Sequence, residues 1–212
     1  MVGAALAGRM AMSERAMVVL VLQVAFLGVA LGGRSVLHRR RTGDWGFRWQ
    51  REDRIARVSG VLLVGAVVVG LVGTVLVAFA DAPLWEVFDH PVIAAIGGAC
   101  ALVGGVLTFV AQVTMGSSWR IGVDPGERTE LVVEGPFQRV RHPVFTGMIL
   151  TALGLALLVP TAVTLGAVLV LVAGVQLQVR GVEEPYLLGT TSGYREYARR
   201  VGRFVPLLGR IR

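Results

Sequence analysis

From Val144 to Val179 the chain runs without a single charged residue, and this run narrows the possible folds more than any other feature. As one helix it would extend about 54 Å at 1.5 Å per residue, well beyond the roughly 30 Å hydrocarbon core of a bilayer. Pro160 lies near its middle, where the ring removes a backbone donor and clashes with the preceding turn. The economical reading is two short antiparallel helices, 144–159 and 161–179, joined by a tight turn.

Three further apolar runs, 16–33, 58–80 and 92–115, each approach or exceed the length that crosses a bilayer as helix, the form in which every backbone polar group finds a partner within its own segment. The expected fold class is therefore all-α and integral to a membrane, a single membrane domain over 1–212 with about five transmembrane helices. The last two form the hairpin. With 54% apolar residues and charges confined to a few clusters, a soluble globular fold is excluded.

Arginine placement gives an independent test of the count, because positively charged loops stay on the cytoplasmic side. All 21 basic residues are arginine. Eight lie between Arg34 and Arg57, four between 116 and 143, and seven from Arg180 onward, while 81–91 and the Pro160 turn have none. Only Arg9 and Arg15 precede the first run. Five crossings put those two outside and all the others inside, which predicts an N-out, C-in, multi-pass protein (of the inner or plasma membrane if bacterial). A cleaved signal peptide fits the first run less well, since the denser positive charge, from Arg34 onward, follows the apolar stretch instead of preceding it.

The formal charge of +7 would suggest nucleic acid on a soluble surface. Here the arginines flank membrane-length segments, so anionic lipid headgroups are the expected partner and nucleic acid is not. Cys100 stands alone, and His38, His90 and His142 fall in three separate loops. Neither a disulfide nor a metal centre is expected. Gly28 and Gly32, with Gly65, Gly70, Gly73, Gly97, Gly98, Gly104 and Gly105, supply small positions for close helix packing. Trp45 and Trp49 in the arginine-rich loop read as an interfacial belt.

None of the apolar runs carries an ionisable side chain in its middle, which argues against an ion pathway or proton relay. Chemistry then falls to two segments expected on the cytoplasmic side, 116–143 and 180–212. A hairpin returns the chain to its starting side, so these flanks must meet. The first holds Ser117-Ser118-Trp119-Arg120 and Asp124, then the turn Gly135-Pro136 and the run Arg139-Val140-Arg141-His142-Pro143, with proline opening the next helix. A helix N-terminus with arginines nearby is a potential anion site, or a contact for lipid phosphate. His142 reads as a base, a ligand contact or an interfacial residue. In the second segment, Arg180 and Glu184 are four apart and would share one face of a continuing helix, beside Glu183.

The order Gly135-Pro136-Phe137, Arg141-His142-Pro143-Val144-Phe145-Thr146-Gly147, Glu183-Glu184, Tyr194-x-x-Tyr197 and Pro206 resembles the isoprenylcysteine carboxyl methyltransferase family and its relatives, the phospholipid N-methyltransferases. The resemblance covers roughly Trp119 to Pro206. It implies a membrane methyltransferase using S-adenosylmethionine. By the same resemblance, the cofactor pocket would be lined by Val133, Gly135, Pro136, Arg139, Arg141, His142, Pro143, Phe145 and Gly147, with Glu183 nearby. Arg180 and Glu184 would hold the acceptor, a lipid-like or isoprenylated molecule. Phe137 and Phe145 stand where tyrosine is usual, which removes any hydroxyl contact there.

The chemistry suits such a site, because methyl transfer is an in-line displacement that needs chiefly positioning and exclusion of water. A carboxylate acceptor, oriented by a guanidinium, is already nucleophilic. An amine or thiol acceptor would need Glu184 or His142 as base. The alternatives are phospholipid N-methylation, small-thiol S-methylation, a sterol-reductase-like enzyme using NADPH, and a non-catalytic scaffold gripping anionic lipid. No alternating strand and helix pattern with a glycine-rich turn is present, so a Rossmann cofactor domain is not expected.

Overall fold

The computed structural model describes residues 2–33, 35–36, 39–40, 43, 47–48, 54–80, 82–116, 121–122 and 131–211. His38, Trp45, Trp49, Ser117, Ser118, Trp119, Arg120 and Asp124 lie outside the described residues. The chain is helical almost throughout. The main helices are α1 (Val2–Leu27), α2 (Arg54–Ala80), α3 (Pro91–Met115), α4 (Pro143–Leu158), α5 (Ala162–Gln178), α6 (Glu184–Thr190) and α7 (Tyr194–Arg200). The all-α expectation needs one small amendment. Phe47–Arg48 pairs in parallel with Ile121–Gly122 as a two-residue ladder.

The Pro160 break is where the sequence placed it. α4 stops at Leu158, and Thr161 then caps α5 in a reciprocal box. Thr161 Oγ1 accepts from the Thr164 backbone N–H and Thr164 Oγ1 from that of Thr161, both at 3.0 Å. Two donors that no helical carbonyl can reach are satisfied in this way. α3 opens similarly, with Pro91 in the first turn and His90 Nδ1 accepting from the Val92 N–H.

Among the described residues, four helical stretches are long and apolar enough to cross a membrane, namely Met12–Ala30, Arg54–Ala80, Pro91–Met115 and Ala162–Thr190. Pro143–Leu158, the fifth expected span, is apolar but only 16 residues long. At 1.5 Å per residue it reaches about 24 Å, short of the hydrocarbon thickness. The outward surfaces of the long helices are apolar. Val61, Leu102 and Leu169 are each about 70% exposed, as side chains facing hydrocarbon would be.

Polar contacts fix which ends lie together. At one end Arg15 pairs with Asp89 at 2.7 Å, and the Trp85 N–H donates to the Pro160 carbonyl at 2.6 Å. At the other, Gln112 Nε2 donates to the Ala30 carbonyl and Ser59 Oγ to Gln178 Oε1. Ala30 lies in a π-helical stretch, Gly28–Gly33, whose wider turn alters the usual carbonyl pairing. The loop before α3 and the Pro160 turn therefore share one end of the bundle. The flanks of the α4–α5 hairpin occupy the other.

α3 and α4 pack most closely, through small residues. A Cβ on Gly104 would lie 2.5 Å from the Thr151 nitrogen and 2.6 Å from the Gly147 carbonyl, and one on Gly97 2.8 Å from the Gly154 carbonyl. Gly73 likewise faces Thr164 across α2 and α5. Gly28, Gly32, Gly65, Gly98 and Gly105 depart from the sequence expectation, since an added Cβ would meet nothing within 4 Å at any of them. The small-residue spacing is real, but only the face turned toward a partner helix uses it.

Candidate active site

Beyond the hairpin the two flanking segments are laced together. Val140 bridges Gly202, the Arg141 N–H donates to the Gly202 carbonyl at 2.8 Å, and the His142 N–H donates to the Arg203 carbonyl at 3.1 Å. Tyr197 Oη donates to the Phe137 carbonyl at 2.6 Å, and Thr146 Oγ1 to that of Phe204 at 2.9 Å. Tyr194, Tyr197 and Ala198 form a small buried core beneath this junction.

Arg141 sits at the centre with its side chain fully withdrawn from solvent. Its Nε and Nη2 donate to Glu184 Oε1 at 3.2 and 2.6 Å, Nη1 to the carbonyls of Ala198 and Val201 at 3.1 and 2.5 Å, and Nη2 also to that of Gly209 at 3.0 Å. A guanidinium has five N–H groups, and all five are used. Arg203 grips the same carboxylate from the other side, with Nε to Oε1 at 2.9 Å and Nη2 to Oε2 at 2.7 Å. Two cations thus share one buried acid, and that acid joins the start of α6 to the C-terminal strap.

His142 lies beside this triad. Its Nδ1 is 3.4 Å from Glu183 Oε2, and its Nε2 is 3.6 Å from Glu184 Oε1. The second distance is too long for a hydrogen bond, so Nε2 is a buried polar atom without a hydrogen-bond partner among the described residues. The ring contacts Phe145 and Phe204, with centroids 6.3 and 5.8 Å away. Burial disfavours the charged imidazolium, but the contacts and charges of Glu183 and Glu184 outweigh it and raise the pKa above its ordinary value. Burial also raises Tyr194, and pushes Tyr197 up to about 12.

The residues expected around a pocket divide into three groups. His142, Pro143, Phe145, Glu183 and Glu184 gather at the N-terminus of α4, where Pro143 is fully buried and Phe145 partly so. Val133, Gly135 and Arg139 are exposed around the 3-10 turn Gly135–Gln138, with Pro136 half-buried among them. Gly135 has a φ of 55°, the left-handed region that glycine tolerates at least cost. The third group lies apart from any open surface. Gly147 is sealed in the α3–α4 seam against Gly104 and Thr108, and the donors of Arg141 are all spent on the chain itself.

Arg180 and Glu184 are not brought together as an α-helical spacing suggests. The helix widens into a π segment, Val179–Glu183. Arg180 is exposed and makes no ion pair among the described residues, while Glu184 is buried against Arg141 and Arg203. Arg203 is the residue that spacing alone missed. Its signal was present, since an arginine stands directly beside the apolar run Phe204-Val205-Pro206-Leu207-Leu208.

These features define a helical integral membrane protein with a buried cluster of charged side chains at the open end of a C-terminal hairpin. Residues 96–189 match the model of the isoprenylcysteine carboxyl methyltransferase (ICMT) family. The match spans most of α3, all of α4 and α5, and nearly all of α6, and so includes Arg141, His142, Glu183 and Glu184. That match points to a membrane methyltransferase. A comparison with curated proteins finds no match.

Proposed function

We propose that the protein uses S-adenosylmethionine to methylate the carboxylate of an isoprenylcysteine-like acceptor at this end of the bundle, facing the cytoplasm. The observation that carries this reading is His142. It is a buried imidazole with one nitrogen lacking a hydrogen-bond partner among the described residues, set between two glutamates where the hairpin opens.

The residues fit the cofactor's chemistry. A zwitterionic, cationic ligand needs anionic and hydrogen-bonding groups, and Glu183 keeps a fifth of its side chain exposed next to His142. The turn around Val133, Gly135, Pro136 and Arg139 adds accessible backbone and a guanidinium. When bound, S-adenosylmethionine supplies a methyl group on a sulfonium. His142, Pro143, Phe145 and Glu183 would hold it, with Val133, Gly135, Pro136 and Arg139 at the rim. Arg141 and Gly147 would serve it indirectly, by holding the strap and by seating α4 against α3.

Arg180, exposed and without an ion pair among the described residues, would receive an acceptor carboxylate as a fork. Glu184, committed to Arg141 and Arg203, keeps the wall rigid so that the acceptor is oriented and water excluded. His142 favours a carboxylate over an amine or thiol. Its raised pKa favours the protonated ring, and a protonated imidazole takes no proton from an acceptor. The arginine asymmetry supports the cytoplasmic orientation, and exposed Arg195, Arg199 and Arg200 on α7 suit anionic lipid headgroups.

The test is binding followed by turnover. S-adenosylhomocysteine should raise the melting temperature of the detergent-solubilised protein, and labelled methyl should pass to a prenylcysteine analogue. Stabilisation by NADPH in place of S-adenosylhomocysteine would reject the reading in favour of a reductase, and stabilisation by neither would favour a scaffold.

A further inference from the structure

Ser59 of α2 and Gln178 at the end of α5 meet inside the bundle through a 2.7 Å hydrogen bond, with both residues buried. Ser59 Oγ also lies 3.0 Å from the Ala56 carbonyl, so its single proton has two acceptors to choose between. The far side of the Gln178 amide settles the choice. Its Nε2 faces Glu183 Oε1 at 3.5 Å, and a carboxylate only accepts. The amide must therefore turn its NH2 toward Glu183 and its oxygen toward Ser59, which then donates to it.

The π segment Val179–Glu183 makes this possible. Its wider turn brings residues five apart onto neighbouring faces, and Gln178 and Glu183 are five apart. The other Glu183 oxygen, Oε2, is the one 3.4 Å from His142 Nδ1. A directed line of polar groups thus runs from a membrane helix, through Gln178 and Glu183, to the residue that caps α4.

We propose that Ser59 and Gln178 are positioning residues that fix the Glu183 carboxylate against His142 and so set the orientation and charge of that ring. The inference rests on the methyl-transfer reading only for its functional meaning; the positioning itself stands on the contacts. Besides Glu183, the ionisable groups around His142 are Glu184 at 3.6 Å, the Arg141 and Arg203 guanidiniums that hold Glu184, and buried Tyr194. Substitutions at Ser59 or Gln178 leave all of these in place.

The test is the titration of His142 by NMR in the detergent-solubilised full chain, with labelled histidine and the signal assigned by its loss in His142→Asn. Ser59→Ala and Gln178→Leu should each lower the midpoint by about half a unit, as Glu183 swings free of the ring. Ser59→Thr, which keeps the hydroxyl, should restore it. Midpoints matching the unsubstituted protein in both Ser59→Ala and Gln178→Leu would overturn the proposal. Should Gln178→Leu fail to fold, the Ser59→Ala and Ser59→Thr pair decides alone. S-adenosylhomocysteine binding by the unsubstituted protein is measured alongside, and its absence would sink the methyl-transfer reading without touching the titration result.

Discussion

Arg141 and Glu184, 43 residues apart in sequence, meet at 2.6 Å with side-chain exposures of 0% and 6%. The pair closes the hairpin's open end, because the same guanidinium also holds the carbonyls of Ala198, Val201 and Gly209. Removing one partner of a buried ion pair costs about 3–5 kcal/mol, since the other charge is left uncompensated. Arg141→Ala should lower the thermal midpoint sharply at a fixed scan rate. Arg141→Lys should recover little of it, because one ammonium cannot replace five donors held in a plane.

Arg180 and Glu184 should separate in their effects. Glu184 neutralises two guanidiniums, so Glu184→Ala is expected to destabilise the protein as Arg141→Ala does. Arg180 is exposed and unpaired among the described residues, and surface substitutions of this kind usually stay within about 0.5 kcal/mol. Arg180→Ala should therefore keep the parent melting temperature while losing most methyl transfer to a carboxylate acceptor. Full turnover in Arg180→Ala would remove that residue from the acceptor site.

Much of the architecture was legible because membrane helices follow rules of length and charge. The Pro160 break, the bounds of α3 and the meeting of the two flanks all followed from apolar run length and one proline. The shortness of α4 followed as well, since its 16 residues match the length expected of 144–159. Two features did not. Arg180 parts from Glu184 because a π turn changes the angular spacing, and helical periodicity assumes a uniform one. Arg141 looked like a ligand contact, yet besides Glu184 its partners are backbone carbonyls near the chain's end. A carbonyl acceptor exists at every residue and so leaves no mark in the sequence.

The α3–α4 seam offers a control built into one helix. At Gly104 a methyl group would press on backbone atoms of α4, which cannot rotate away as a side chain can. Gly104→Ala should cost about 1–3 kcal/mol, as overpacking does. Gly98, on the same helix, meets nothing within 4 Å. Gly98→Ala should be neutral or stabilising by up to about 1 kcal/mol, through helix propensity alone. Equal melting temperatures for the two variants would count against this seam.

The raised pKa of His142 gives stability a pH dependence of definite sign. Because the folded protein holds this proton more tightly than the unfolded chain, the contribution is fully present below the unfolded value near 6.5. It is lost as pH rises from there through the higher folded value. The melting temperature should therefore fall across that alkaline window, and His142→Gln should flatten the slope because nothing is left there to titrate. Glu184 acts in the other direction: burial alone would raise its carboxyl, but hydrogen bonding with His142, Arg203 and Arg141 holds it well below the usual carboxylate range, so its contribution fades under strong acid. A melting temperature that rises between pH 6.5 and 8.5 in the parent, or falls equally in His142→Gln, would show that the ring is not held as a cation between the two glutamates.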